Sequence, residues 1–244
     1  MILGSDDILE KLNTLQTKIK VNFRNPELLK QALTHRSFIN EVREAKPHHN
    51  EKLEFLGDAV LELLVTQKLY DEYPERSEGE LTSFRAATVK TESLAESAAE
   101  ISLGEYIFMS RGEESTGGRR RPYILANTFE ALIGAIYLDL GLSTANNFLE
   151  EFLFKKIPTI VEQRLDIDNK SRLQEISQDQ LNITPVYEFV SAVGPDHNKT
   201  FTMAVYINGK KFGVGKGKSK QEAEQQAAND AVNNWESLIK DYQN

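Results

Sequence analysis

Glu51, Glu54 and Asp58 are spaced by three and then four residues, inside a run whose apolar residues keep a helical period. At about 100° per residue, the three carboxylates fall on one narrow stripe of that helix. Like charges on one exposed stripe repel by roughly a few tenths of a kcal/mol per pair, and Lys52 points elsewhere instead of interleaving with them. Two readings are open at this level: a plain acidic helix face, or oxygen donors for a hard cation. Asn127 and Glu130, three residues apart, form a second polar pair beside an apolar run from Phe129 to Leu140. A polar pair facing apolar surroundings calls for a partner or a metal. Mg²⁺ takes oxygen ligands, commonly one or two carboxylates completed by water and substrate phosphate. His35, His48 and His49 lie close in sequence, but no His spacing accompanies the acidic helices; His48 and His49 read as exposed.

The elements that must position these residues are helical. Asn25-Pro26-Glu27 starts a helix with Pro in the first turn. Residues 51–72 form a strongly periodic helix with Leu53, Leu56, Ala59, Val60, Leu63, Leu64 and Leu69 as its apolar face, ended by Tyr73-Pro74. Further helices are predicted near 79–100, 123–139 and 143–156, with no strand before residue 160. The segment from Gly117 to Pro122 reads as a loop, and its Arg119–Arg121 run as a contact to a phosphate backbone. After Ile160 the character changes. Polar residues suit a linker over 161–169, followed by a helix near 171–181 and alternating runs over 186–193, 200–207 and 211–217. Asn208-Gly209 is a strong two-residue hairpin turn, and Ser219 with Glu222 makes a capping box for a last helix. The fold expected is therefore multidomain: an all-α domain over 1–160 and a small α+β domain, α-β-β-β-α in order, over 170–244.

Composition bounds the function. The 244 residues are 40% hydrophobic and 27% charged, with no cysteine, so disulfides and thiolate metal sites are excluded. No secretory h-region precedes Asp6 and Asp7, and no stretch is read as a membrane span; a cytoplasmic protein is expected. The net charge of -8 hides a division. From Asn169 onward nine basic residues balance nine acidic ones, and the earlier part holds 20 basic against 28 acidic. Within the balanced part, Lys210, Lys211, Lys216, Lys218 and Lys220 fall in one acid-free run, a local basic patch on an acidic chain.

The run from Asn50 to Val60 (NEKLEFLGDAV) resembles the hallmark motif of the ribonuclease III family, as do Gly112-Glu113, Gly117-Gly118-Arg119 and the segment from Ile124 to Gly134. The resemblance extends from about Leu9 to Trp235. Carried over position by position, it implies that Glu54, Asp58, Asn127 and Glu130 bind metal, with Asp58 and Glu130 also catalytic. Glu51 and Glu78 match further acids of the catalytic valley, and Phe55 matches an aromatic at the dimer contact, although periodicity alone makes Phe55 a core residue. The implied activity is Mg²⁺-dependent endonucleolytic cleavage of double-stranded RNA, with Mn²⁺ able to substitute and no small-molecule cofactor. The family leaves 5′-phosphate and 3′-hydroxyl ends with short 3′ overhangs, acts as a homodimer, and serves rRNA and mRNA processing and decay. Asn127 departs from the family's usual Asp. It keeps one neutral oxygen and removes a negative charge, which lowers metal affinity. The competing reading is a double-stranded RNA-binding protein with weak or no cleavage because of Asn127.

The second domain resembles a double-stranded RNA-binding domain. A-form RNA is read by shape, 2′-hydroxyls and phosphates. Ser171, Gln174, Glu175 and Gln178 share one helix face suited to minor-groove hydroxyls, His197 matches a second minor-groove contact, and Lys216, Lys218 and Lys220 meet the positive end of the helix after Ser219. At Gln221 the family often has Lys, so a weaker phosphate clamp and a shallower salt dependence are expected.

Overall fold

The structure, a computed structural model, describes residues 5–41, 48–162, 169–195 and 199–243. The chain divides into two compact units, Met1–Asp166 and Ile167–Asn244.

In the first unit, α1 (Ser5–Ile19) buries Leu12, Leu15 and Ile19. Asn25 accepts the Glu27 N–H at 3.2 Å and Pro26 opens α2 (Pro26–Ala32), so a side chain and a missing N–H answer two of the orphan groups of the first turn. A 3₁₀ turn (Arg36–Glu41) precedes α3 (Glu51–Glu72), which ends at Tyr73 ahead of Pro74. Ser77 and Glu80 form a full capping box at the start of α4 (Glu78–Val89). The single helix expected over 79–100 is instead two. Lys90 is extended (φ −61°, ψ 152°), ending α4 and leading into α5 (Thr91–Glu100). The β-branched Val89 and Thr91 weaken helix at that point, and the break frees α5 to pack Leu94 and Ala98 into the core against α7. A one-turn helix, α6 (Arg111–Ser115), and the long α7 (Pro122–Leu140) follow. The helix expected over 143–156 stops earlier, as α8 (Leu142–Phe152). Leu153 leaves helical geometry, a 3₁₀ turn covers Phe154–Lys156, and α9 (Ile157–Glu162) buries Ile157, Ile160 and Val161. The one pairing of extended backbone among the described residues of this unit is a parallel bridge, Thr34 with Phe108.

α7 is the central helix, buried on nearly every side by Ile124, Phe129, Leu132, Ile133 and Ile136. By length and composition it is the one described helix apolar enough to cross a membrane, a qualification to the sequence reading. Its position as the core of a helical domain accounts for that composition. α3 lies across it. The expected apolar face of α3 is only partly inside: Leu53, Val60, Leu64 and Leu69 are buried, whereas Ala59 and Leu63 are exposed with Phe55 and Tyr70. The helix thus carries a second apolar stripe that the domain itself does not cover.

In the second unit, α10 (Asn169–Leu181) is followed by β1 (Val186–Val193), β2 (Thr200–Ile207) and β3 (Lys210–Gly217), an antiparallel sheet in the order β1-β2-β3. Asn208 and Gly209 both take positive φ at the β2–β3 hairpin, the geometry that an Asn-Gly turn supplies. α11 (Lys220–Asn233) packs Ala227, Ala228 and Ala231 with Leu173, Val205, Ile207 and Phe212. Side chains at Gly213, Gly215 and Gly217 would collide with the α11 backbone, so the bare glycine row lets β3 lie against that helix. The α-β-β-β-α order is as expected. A further helix, α12 (Trp235–Gln243), closes the core with Trp235, whose Nε1 donates to Gln180 Oε1 at 2.9 Å.

Candidate active site and nucleic-acid interface

Two glycines bring the acidic helices together. A Cβ on Gly57 of α3 would overlap the Glu130 carbonyl of α7, and one on Gly134 would overlap the Leu53 carbonyl. Backbone therefore touches backbone at the α3–α7 crossing, closer than the usual 8–10 Å between helix axes with side chains between them. Glu54 and Asp58 flank Gly57 on one helix, and Asn127 and Glu130 precede Gly134 on the other. The crossing sets these four side chains at a common centre. The Asn127 side chain acts on the Glu54 carboxyl, and the charges of Asp58 and Glu54 both act on Glu130.

The electrostatics of this centre are unbalanced. Burial raises the Glu54 carboxyl, the Glu51 charge raises it further, the Asn127 side chain opposes both, and Asp58 adds to the rise. Glu130 is pushed up to about 7, first by burial and then by Asp58, Glu54 and Glu62. Among the described residues, no Lys or Arg forms an ion pair with Glu54, Asp58 or Glu130. Three uncompensated carboxylates and an amide oxygen are hard donors suited to a divalent cation of the Mg²⁺ type, and positive charge is what the group lacks. Among the described residues, no three His, Asp or Glu converge closely enough to hold a metal alone, so water and phosphate oxygens would complete a coordination sphere.

Glu51 stands at the edge of this centre. It is exposed, paired with Arg36 at 3.3 Å, and 3.6 Å from His49 Nδ1. His48 is exposed as expected, whereas His49 is only partly so. Glu78 begins α4, where its Oε1 accepts from Thr82 at 3.4 Å. It is not among the groups whose charges act on Glu54 or Glu130. Instead it lines a separate hollow of about 750 Å³ with Thr66, Tyr70, Arg76 and Arg85. Phe55 is 81% exposed on α3, so the core placement that periodicity alone suggests is corrected.

The Arg119–Arg121 run is also corrected. Arg119 donates to the carbonyls of Gly104 and Ile107 and pairs with Glu114, while Arg121 pairs with Glu113 and donates to Thr116. Both guanidiniums staple the loop ahead of α7, and Arg120 alone of the three is left exposed. Sequence reasoning missed Gly57, Gly134 and Arg85. The signal for the glycines was present: glycine inside a helical pattern is unfavourable and implies a packing reason.

In the second unit, Ser171, Gln174, Glu175 and Gln178 are exposed along α10 while Leu173 and Ser177 point inward. Gln178 Nε2 donates to Asn182. His197 lies outside the described residues. At the start of α11, Ser219 accepts the Glu222 N–H at 3.1 Å and Glu222 Oε2 accepts the Lys218 N–H at 2.6 Å. Lys218 and Lys220 are exposed there, with Lys220 Nζ 5.4 Å from the Phe189 ring centroid. Lys216 sits between two glycines that face α11, so strand alternation sends its side chain to the opposite face of the sheet. Gln221 is exposed.

Two family models match the chain: "Ribonuclease-III-like" over residues 25–157 and "Double-stranded RNA binding motif" over 169–234. The chain is 49% identical to ribonuclease 3 of Desulforamulus reducens over 231 residues, 95% of this chain and 94% of that one. It is 48% identical to ribonuclease 3 of Geobacillus kaustophilus, over 91% of this chain and 90% of the relative. Among solved structures, it is similar to the nuclease domain of ribonuclease III from Campylobacter jejuni. One such structure, described for flexibility in a region involved in dimer formation, shares 40% identity with a TM-score of 0.55, over 62% of this chain and 99% of that one.

Proposed function

We propose, this chain belonging to the ribonuclease III family, that its α3–α7 centre cuts double-stranded RNA with Mg²⁺. The chain is an endoribonuclease with a double-stranded RNA-binding domain. The observation that carries the finer reading is the close α3–α7 crossing, where Glu54, Asp58, Asn127 and Glu130 act on one another's charge with no Lys or Arg among the described residues paired to the carboxylates.

In this reading Glu54, Asp58, Glu130 and the Asn127 amide oxygen would hold the cation. A bound divalent cation would make the attacking water more acidic and offset the negative charge that builds on the phosphate. The Asn127 side chain favours the charged form of Glu54 before RNA arrives. The part-buried Glu130 carboxyl, raised to about 7, ionises more fully once positive charge is nearby. Glu51 and Glu78 border the path of the RNA. The exposed face of α10 and His197 meet 2′-hydroxyls, while Lys218 and Lys220 hold phosphate at the start of α11, with Lys216 adding charge from the other face. The uncovered stripe of Phe55, Leu63 and Tyr70 supports a homodimer in which each protomer cuts one strand. Paired cuts leave 5′-phosphate and 3′-hydroxyl ends with short 3′ overhangs. Mn²⁺ substitutes for Mg²⁺, and the cellular role is processing and decay of rRNA and mRNA in the cytoplasm.

End-labelled plain RNA duplex, incubated with the full chain and Mg²⁺, tests this reading through its product ends. Paired cuts with a short 3′ overhang are expected. Scattered single-strand nicks would count against the dimer, and retention of intact duplex on the protein would favour a binding protein silenced at Asn127.

A further inference from the structure

The acidic stripe of α3 is longer than the three residues that open it. Glu62 lies eleven residues after Glu51 and four after Asp58, and three helical turns span about 10.8 residues, so it returns to the same line. Its charge is the next to act on Glu130 after those of Asp58 and Glu54. Unlike Glu54, Asp58 and Glu130, it has a cationic partner. Arg85 of α4 forms an ion pair with Glu62, its Nε 2.9 Å from Oε2, and donates from Nη1 to Thr66 Oγ1 at 3.0 Å. Both ends of this clasp are partly shielded, with side chains 35% and 40% exposed, and a partly desolvated planar fork loses less freedom per bond than a lysine would.

Arg85 is also seven residues after Glu78 on α4, two turns along one side of the helix, and both line the hollow beside α3. The clasp therefore fastens the helix that bears Glu78 to the helix that bears Glu54 and Asp58. On the stripe itself Glu54 and Asp58 are left bare at the α3–α7 crossing, while Glu51 before it and Glu62 just past it each have an arginine partner.

We propose that Arg85 is a positioning residue that masks Glu62, so that a divalent cation meets only the carboxylates at the α3–α7 crossing and is not drawn one turn down the stripe. The proposal rests on the cation-dependent reading above. Its chemistry is electrostatic: a bare Glu62 one helical turn from Asp58 adds a competing oxygen donor and a negative charge, while the Arg85 guanidinium cancels both. Nothing in this role requires Arg85 to touch RNA.

The test is a charge cycle read by calorimetric titration of Mg²⁺ into the full-length protein without RNA, together with the Mg²⁺ dependence of duplex cleavage. Arg85→Gln is expected to tighten Mg²⁺ binding about fivefold, the effect of one unit charge at roughly a helical turn in a wet site, while lowering cleavage at saturating Mg²⁺ because the cation sits off the crossing. Glu62→Gln alone is expected to weaken binding by a similar factor, since Arg85 is then unpaired. The double variant Arg85→Gln/Glu62→Gln restores the parent's Mg²⁺ midpoint to within about twofold. Arg85→Lys keeps the charge and, should the Gln variant fold poorly, holds the midpoint near the parent's. A double variant that stays as displaced as Arg85→Gln overturns the masking role, as does an Arg85→Gln that loses RNA affinity with its Mg²⁺ titration unchanged. A parent that takes up no Mg²⁺ overturns the cation reading itself, and the masking role with it.

Discussion

Glu130 is held where its charged form is disfavoured. Burial and three neighbouring carboxylates raise it from 4.5 to about 7, and an acid whose folded value is raised binds its proton more tightly folded than unfolded. Its contribution to cation-free stability is full below the unfolded value of 4.5 and is lost as pH climbs through about 7. Glu130→Gln is therefore expected to make the metal-free protein more stable at pH 8 by about 2 kcal/mol, after allowance for its partial exposure, and to leave stability near pH 4 unchanged. The same variant is expected to lose cleavage by about three orders of magnitude, as when a charge-stabilising group is removed. Thermal melts at both pH values with EDTA check the first part; a destabilised variant at pH 8 would mean that Glu130 is structural. Asn127→Asp adds a carboxylate beside Glu54, and the Mg²⁺ midpoint for cleavage is expected to fall about fivefold with little gain in rate at saturation. A gain of several orders at saturating Mg²⁺ would mean that Asn127 silences the enzyme. In the second unit, Gln221→Lys should steepen the salt dependence of duplex binding by about one unit of slope, and equal slopes would remove Gln221 from the phosphate clamp.

At the scale of elements, the site depends on a crossing that leaves no room for a methyl group. Gly57→Ala and Gly134→Ala each place a Cβ on the opposing backbone. Each is expected to cost about 3 kcal/mol by overpacking, measurable by urea unfolding; loss of under about 0.5 kcal/mol would show that the helices do not meet there. Much of this architecture was legible in the sequence. The Ser219 N-cap, the Asn208-Gly209 hairpin and the alternation of three strands each carry a local cause that the fold keeps, although the capping box expected there is half formed, the Glu222 carboxylate accepting from Lys218 and not from Ser219. Less legible were features whose cause is distant in the chain. The break at Lys90 follows from α5 having to reach α7. Arg119 and Arg121 look like a basic patch until the carbonyls of Gly104 and Ile107 and the acids Glu113 and Glu114 are seen around them. The family motif marked Glu54, Asp58, Asn127 and Glu130, whereas the glycines that set their separation were visible only as an unexplained weakness inside two helices.

At the scale of the molecule, α3 serves two boundaries. One side closes the core and frames the acidic centre, while the other leaves Phe55 81% exposed with Leu63 and Tyr70 also outside. A second copy on that stripe, as proposed, would cover the exposed aromatic. Phe55→Glu is expected to shift the protein from dimer to monomer in sedimentation while the fold stays intact, and to change paired cuts into single nicks. A dimer that survives the change would place the interface elsewhere. The central claim, that carboxylates from two crossed helices gather the cation that cuts RNA, is tested most directly by the rate of duplex cleavage against Mg²⁺ concentration. The parent should be silent in EDTA, rise with Mg²⁺ to saturation, and keep the same duplex affinity throughout, with Glu130→Gln flat at every concentration. Cleavage that persists in EDTA, or a Glu130→Gln variant that cuts like the parent, would contradict it.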